Sequence, residues 1–401
     1  MKDALAFIES RTRTWKGQTL FHLIFLFPIL GAVVSKLARH RHLLNDYDAL
    51  ACGTWLLAHG TSPYVRHPVC PGLDAAAFVY APQVGLAFRP FIDAFGLEGS
   101  RWVWLVVLVP AMGILMWYAL FKAMPRAPYP LRLMSLAAIA GSMVTCGNAG
   151  FVLNGLIVLC ALNLKRARYP FIIAVLLAAF IKPVMLTWLF VLLVDDRPWR
   201  SRIVATGVSA VAGLASVGLI MTTAGPLRPQ WHALLGAILQ EQPGVGFFSY
   251  SNLIGLAPAS PVTLALLALF MVVLGLSGLV LAEGAGLSQD ERIILGIGMA
   301  QLLNPRLMDY DMLTLAPFVA LLVVLAKDCG PKAFMWLSWV FAGTLTGCVV
   351  TNIIELPVLH RAPVTVFVYC AMTVALAVLT MRRRQWLSTA VCAGPSSRAA
   401  S

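Results

Sequence analysis

Residues 102–121 read WVWLVVLVPAMGILMWYALF, a run of 20 residues without a charge. About twenty apolar residues carry an α-helix across the hydrocarbon core of a bilayer. In lipid every backbone N–H and C=O must be satisfied within the protein, so only helices and closed barrels span. The run shows no apolar–polar alternation, which argues against a barrel strand. Similar runs recur along the chain, in which 60% of 401 residues are hydrophobic and 12% charged, with a mean hydropathy of +0.82. Soluble domains carry about 25% charged residues. The expected fold class is all-α, a polytopic membrane protein.

Twelve spans are expected, near 18–37, 101–122, 131–146, 149–164, 169–181, 183–195, 203–223, 261–282, 292–303, 312–326, 333–351 and 364–381. The first apolar run starts near Thr19, lacks a small-residue cleavage site and reads as a retained span. A cytoplasmic N-terminus places 20 of the 30 Lys and Arg inside. The positive-inside rule then favours both termini in the cytoplasm. The cluster KLARHRH at 36–42 runs against that rule. The net charge of +13 sits in small clusters between apolar runs, so it signals topology rather than a nucleic-acid partner. Residues 1–381 read as one membrane domain and 382–401 as a basic, then disordered, cytoplasmic tail. No internal repeat is evident.

Two outer segments are long, 38–100 and 224–260, and loops beyond about 15 residues usually carry function or are disordered. The first contains AAAFVYAPQVGLAFRPFI, which suits the membrane interface. It also holds Cys52 and Cys70, which can pair if the loop is periplasmic. The second carries Trp231, His232, Glu241 and GFFSYSNLIGL.

Asp46, Asp48, Lys182, Arg306, Asp309 and Asp311 gather at or near outer span ends. Ionisable groups at membrane depth are costly and by default mark function. Asp46 and Asp48 are two residues apart in NDYDALACGTWLLAHGTSPY, so on a helix they point about 200° apart and cannot form one dyad. Asp48 suits capping of the following apolar helix. Lys182, in FIKPVMLTW, either snorkels to the interface or faces a phosphate. In LLNPRLMDYDMLTLAPF, Arg306 can clamp a phosphate through two hydrogen bonds, and Asp309 or Asp311 can hold Arg306 or a sugar hydroxyl. Asn148, in TCGNAGFVLNGL, is as well suited to a turn as to a ligand. The chain has no Gly-rich phosphate loop, HExxH or CxxC pair, so no cofactor or metal is expected.

The order of these pieces resembles the GT-C glycosyltransferases, and within them glycosyltransferase family 87, which includes polyprenol-phosphate-mannose-dependent α-mannosyltransferases. Asp46 and Tyr64 keep the family's spacing in the first outer loop, with Gly60 and Pro63 in place. Tyr80, Ala81 and Pro82 match its Tyr-x-Pro element, and Pro90 follows. Gly147 and Asn148 match a turn between spans, while Lys182, Pro183, Arg197, Trp199 and Arg200 match a Lys-Pro pair and a basic span end. The late loop reads Asn304, Pro305, Arg306 and DYD, without the family's His, and Ser251 and Asn252 stand at its Asn-Gln-Ser element.

The resemblance implies hexose transfer, from mannose by preference, off a polyprenyl-phosphate donor to a lipid or glycan acceptor. It places this chemistry on the periplasmic or extracellular face of an inner membrane, with inversion. Asp46 is then the general base. Asp48, Tyr64, Tyr80, Asn148, Lys182, Asn252, Arg306, Asp309 and Asp311 are the candidate substrate-binding residues. The competing expectation is a multi-span transporter or flippase of a lipid-linked or anionic substrate, which usually binds near the midplane.

Overall fold

The computed structural model describes residues 43–120, 146–258, 260–353 and 361–392, with isolated positions 14, 16 and 34. The expected span at 18–37 and most of that at 131–146 lie outside the described residues, as does the end of the tail.

The first outer segment is folded. Helix α1 (Asn45–Ala58) opens it, and helix α2 (Pro82–Leu120) begins well before the expected span at 101. Gly96, at φ 66°, breaks α2 into an arm and a long apolar span. Cys52 of α1 is bonded to Cys70, which pins the connection between them.

Helices α3 (Ala149–Leu162) and α4 (Tyr169–Ile181) follow. Pro183 lacks a backbone donor and halts α4 at Lys182. The chain resumes as a 3-10 turn over Pro183–Leu189, then as α5 (Phe190–Val194). Helix α6 (Trp199–Thr223) is long, with apolar Val204, Val208, Val211, Leu214 and Leu219 on its open surface. A water-facing helix would carry polar residues there. The second outer segment folds into α7 (Arg228–Glu241) and α8 (Phe247–Leu253).

Ser260 caps α9 (Pro261–Gly284) by accepting from the Thr263 N–H. A reciprocal Ser288–Glu291 cap opens α10 (Gln289–Leu302). A 3-10 turn over Asp309–Leu315 leads into α11 (Ala316–Cys329), followed by α12 (Pro331–Ile353) and α13 (Arg361–Cys392). Helix α13 carries the backbone past residue 381, so the basic first part of the expected tail is helical, and the part expected to be disordered lies outside the described residues.

Among the described residues, five helices are long and apolar enough to cross a membrane. Their burial separates centre from rim. The most apolar window of Tyr310–Cys329 is 83% buried, against 17% for Trp199–Thr223 and 22% for Pro261–Gly284. α11 is therefore the centre of the bundle, in contact with α10, α12 and α13. α6 and α9 present apolar faces outward, as lipid requires.

Candidate active site

Six segments converge at one end of the bundle: the first turn of α1, the approach to α2, the start of α3, the α4–3-10 junction, the chain after α10, and the 3-10 turn before α11. Asp46 stands in the first turn of α1, where the helix dipole favours negative charge. Its N–H donates to the Cys146 carbonyl at 2.9 Å, tying α1 to the turn before α3. That turn is tight. Gly147 has φ 67°, and a Cβ there would fall 2.6 Å from Leu44 Cδ2. Leu44 is itself left-handed, at φ 72°. Such a conformation costs a residue with a Cβ about 1–3 kcal/mol and persists only where the surroundings enforce it.

Asn148 is the hub of the convergence. Its Nδ2 donates to Asp46 Oδ2 at 2.6 Å and to the Tyr310 hydroxyl at 3.0 Å. Its Oδ1 accepts from the Gly150 N–H at 2.8 Å, which caps α3, and from Lys182 Nζ. The Lys182 ammonium also lies over the Tyr310 ring, 5.5 Å from its centroid. Behind it, Asn154 Nδ2 donates to Asp311 Oδ1 at 2.8 Å. Gly150 makes room for this packing: a Cβ would sit 2.9 Å from Lys182 Nζ and 3.3 Å from Asp311 Oδ1.

Two cavities meet here. One, of about 420 Å³, is polar and is lined by Asp46, Asn148, Arg66, His67, Glu241 and Gln242. The other, of about 340 Å³, is apolar and runs between Phe180, Ile181, Val217, Ile220, Met221, Trp231 and Leu235. Tyr80, Lys182, Arg306 and Tyr310 line both. Arg306 donates to the Gln242 carbonyl at 3.3 Å. Burial presses its guanidinium pKa down, against the opposing pull of Tyr310, Tyr80, Asp46 and Asp311. Burial also raises the Tyr80 phenol, which keeps it a neutral hydrogen-bond donor. The junction thus sets two cations between Asp46 in one pocket and Asp311, among mostly apolar side chains, in the other.

Of the sequence candidates, the structure brings together Asp46, Tyr80, Asn148, Lys182, Arg306 and Asp311. Asp309 opens the 3-10 turn, and its side chain lies outside the described residues. Three other candidates lie elsewhere. Asp48 is fully buried on the opposite face of α1, with Arg101 Nε at 3.0 Å from its carboxylate. It lines neither cavity, and no side-chain cap forms at the start of α1. Tyr64 is buried against Phe78, and its hydroxyl donates to the Tyr80 carbonyl at 3.0 Å. It braces the loop. Asn252 is exposed on α8, 3.5 Å from the Gln240 carbonyl and outside both cavities. Tyr310, Asn154 and Gly150 belong to the site but carry no charge at a span end, the signal that marked the others.

No protein-family model, curated protein or solved structure matches this chain.

Proposed function

We propose that this protein is a membrane glycosyltransferase moving a hexose, mannose by its resemblance to family 87, from a polyprenyl-phosphate donor to a lipid or glycan acceptor. One observation carries the reading: Lys182 and Arg306 line both an apolar pocket and the neighbouring pocket that contains Asp46. A polyprenyl chain suits the apolar pocket, its phosphate the two cations, and the sugar the polar side.

The chemistry follows from those positions. The acceptor hydroxyl attacks the anomeric carbon as Asp46 takes its proton. A hydroxyl is a poor nucleophile near neutral pH, and a positioned base contributes about 10²–10⁴-fold. The anomeric C–O bond to phosphate breaks on the opposite side, inverting the carbon. Polyprenyl phosphate leaves with the bonding pair, and Lys182 and Arg306 stabilise its growing charge. Asp46 then returns the proton to solvent.

The twelve-span, N-in topology is part of the proposal, with the site on the outer face. The Cys52–Cys70 bond supports that side, because disulfides persist in oxidising compartments.

The test uses purified protein in nanodiscs with polyprenyl-phosphate [³H]mannose and a lipid extract as acceptor pool. Label should move to a product that is no longer polyprenyl-linked. Label that stays on the polyprenol with mannose, glucose and galactose donors, but crosses the bilayer of proteoliposomes, would overturn transfer in favour of a flippase.

A further inference from the structure

The direct partner of an aspartate beside a lysine is usually the lysine. Here an amide intervenes. Asn148 presents Nδ2 to Asp46 and Oδ1 to Lys182. The sense of the amide is determined by its neighbours: the Gly150 N–H and the Lys182 ammonium can only donate, and the Asp46 carboxylate, when ionised, can only accept. Gly150 leaves room for the amide, since a Cβ there would fall 3.0 Å from Asn148 Oδ1.

We propose that Asn148 is a positioning residue that insulates Asp46 from Lys182, so that neither charge is spent on the other. The carboxylate then stays open to a proton, and the ammonium, drawn also by Asp311, is not tied to Asp46. As Lys182 draws electron density from Oδ1, the Nδ2–H becomes a better donor to Asp46. The consequence for transfer rests on the function proposed above; the insulation itself does not. The other groups acting on this cluster are Arg306, Asp311, Tyr80, Tyr310 and Cys146. None of them stands between the two charges as Asn148 does.

Asn148 also caps α3, and a residue that only caps would leave Asp46 untouched. Two substitutions separate the roles, because Asp and Ser cap helices about as well as Asn. Asn148→Asp retains the cap and sets a second carboxylate against Asp46. Asn148→Ser retains the cap, adds no charge and removes the spacer, so Lys182 can close on Asp46.

The readout does not depend on turnover. Full-length protein in nanodiscs, labelled with ¹³C at its aspartate carboxyls, is titrated by difference infrared spectroscopy, and Asp46→Asn identifies the Asp46 band. In Asn148→Asp the protonated band should appear at a pH higher by about one unit or more, since neighbouring carboxylates resist joint ionisation. In Asn148→Ser it should move to lower pH, since direct contact with an ammonium outweighs one amide hydrogen bond. If Asn148→Asp fails to fold, Asn148→Ser decides alone. A band that is unmoved or moves upward in Asn148→Ser overturns the insulation. Where transfer is present, the acid limb of kcat should follow the band. Both shifts without transfer would retain the insulation and discard the proposed function.

Discussion

At Asp195, Arg168 approaches the carboxylate to 3.0 Å and Arg197 to 3.7 Å, while the Gln289 amide donates to its other oxygen. Next to it, Arg202 and Arg292 share Glu283 at 2.6 and 3.0 Å. At the far end of the same 3-10 and α5 segment, Lys182 meets an amide oxygen, and Asp46 meets the nitrogen of that amide. The two ends hold similar residues and use them differently. Around Asp195 each charge touches a counter-charge, which joins α4, α5, α6, α9 and α10 into one frame. Around Asn148 an amide stands between Asp46 and Lys182, beside open volume.

The largest effect expected from this contrast is on stability, at the paired positions. Asp195→Asn leaves Arg168 and Arg197 without a counter-charge, and Asp48→Asn does the same to Arg101. Breaking a buried pair from one side costs about 3–5 kcal/mol, so both variants should show clearly lower thermal midpoints in detergent. Asp46→Asn should melt close to the unmodified protein. Equal losses at all three positions would erase the difference between the ends.

Lys182→Met comes next. Removing one charged contact to a desolvated phosphate costs about 2–5 kcal/mol, and the thioether fits the apolar pocket. Binding of polyprenyl phosphate, followed by tryptophan fluorescence, should weaken by at least tenfold with little change in melting. Unchanged binding would reduce Lys182 to an interfacial anchor.

The smallest effect is expected at the mouth of the polar cavity. There Arg66 and Glu241 join the two outer segments at 2.5 Å while remaining largely exposed. Exposed pairs contribute about 0–1 kcal/mol and are screened by salt. Glu241→Gln should leave the melting temperature within about a degree or two, and any effect on turnover should vanish at high ionic strength. A salt-independent loss would make this pair part of the site.

Much of this was legible in the chain. Uncharged runs near twenty residues marked α6, α9 and α13, and charge at span ends singled out Asp46, Lys182, Arg306 and Asp311. Sequence shows where along the membrane normal a residue lies, but not what faces it across the bundle. The two-residue offset put Asp48 on the other side of α1 from Asp46, yet only the fold brings Arg101 there. Tyr64 and Asn252 match the spacing of the family they resemble, and packing turns one into a brace and the other outward. Tyr310, Asn154 and Gly150 carry no such signal, because their roles come from the Lys182 head and the Asp311 carboxylate beside them. The arm of α2 before Gly96 is masked in the sequence by its prolines: Pro82 sits in the first turn, which needs no proline donor, and Pro90 lies inside the helix.

The central claim is that Asp46 performs the proton transfer while Lys182 and Arg306 hold the lipid phosphate. It is tested most directly by measuring kcat and donor affinity together in Asp46→Asn. The amide retains the shape of the carboxylate but cannot take the acceptor's proton. Turnover should fall by about 10²–10⁴-fold, with polyprenyl-phosphate mannose still binding within about threefold of the unmodified protein. Transfer at an undiminished rate, or loss of donor binding in step with the loss of rate, would contradict the account.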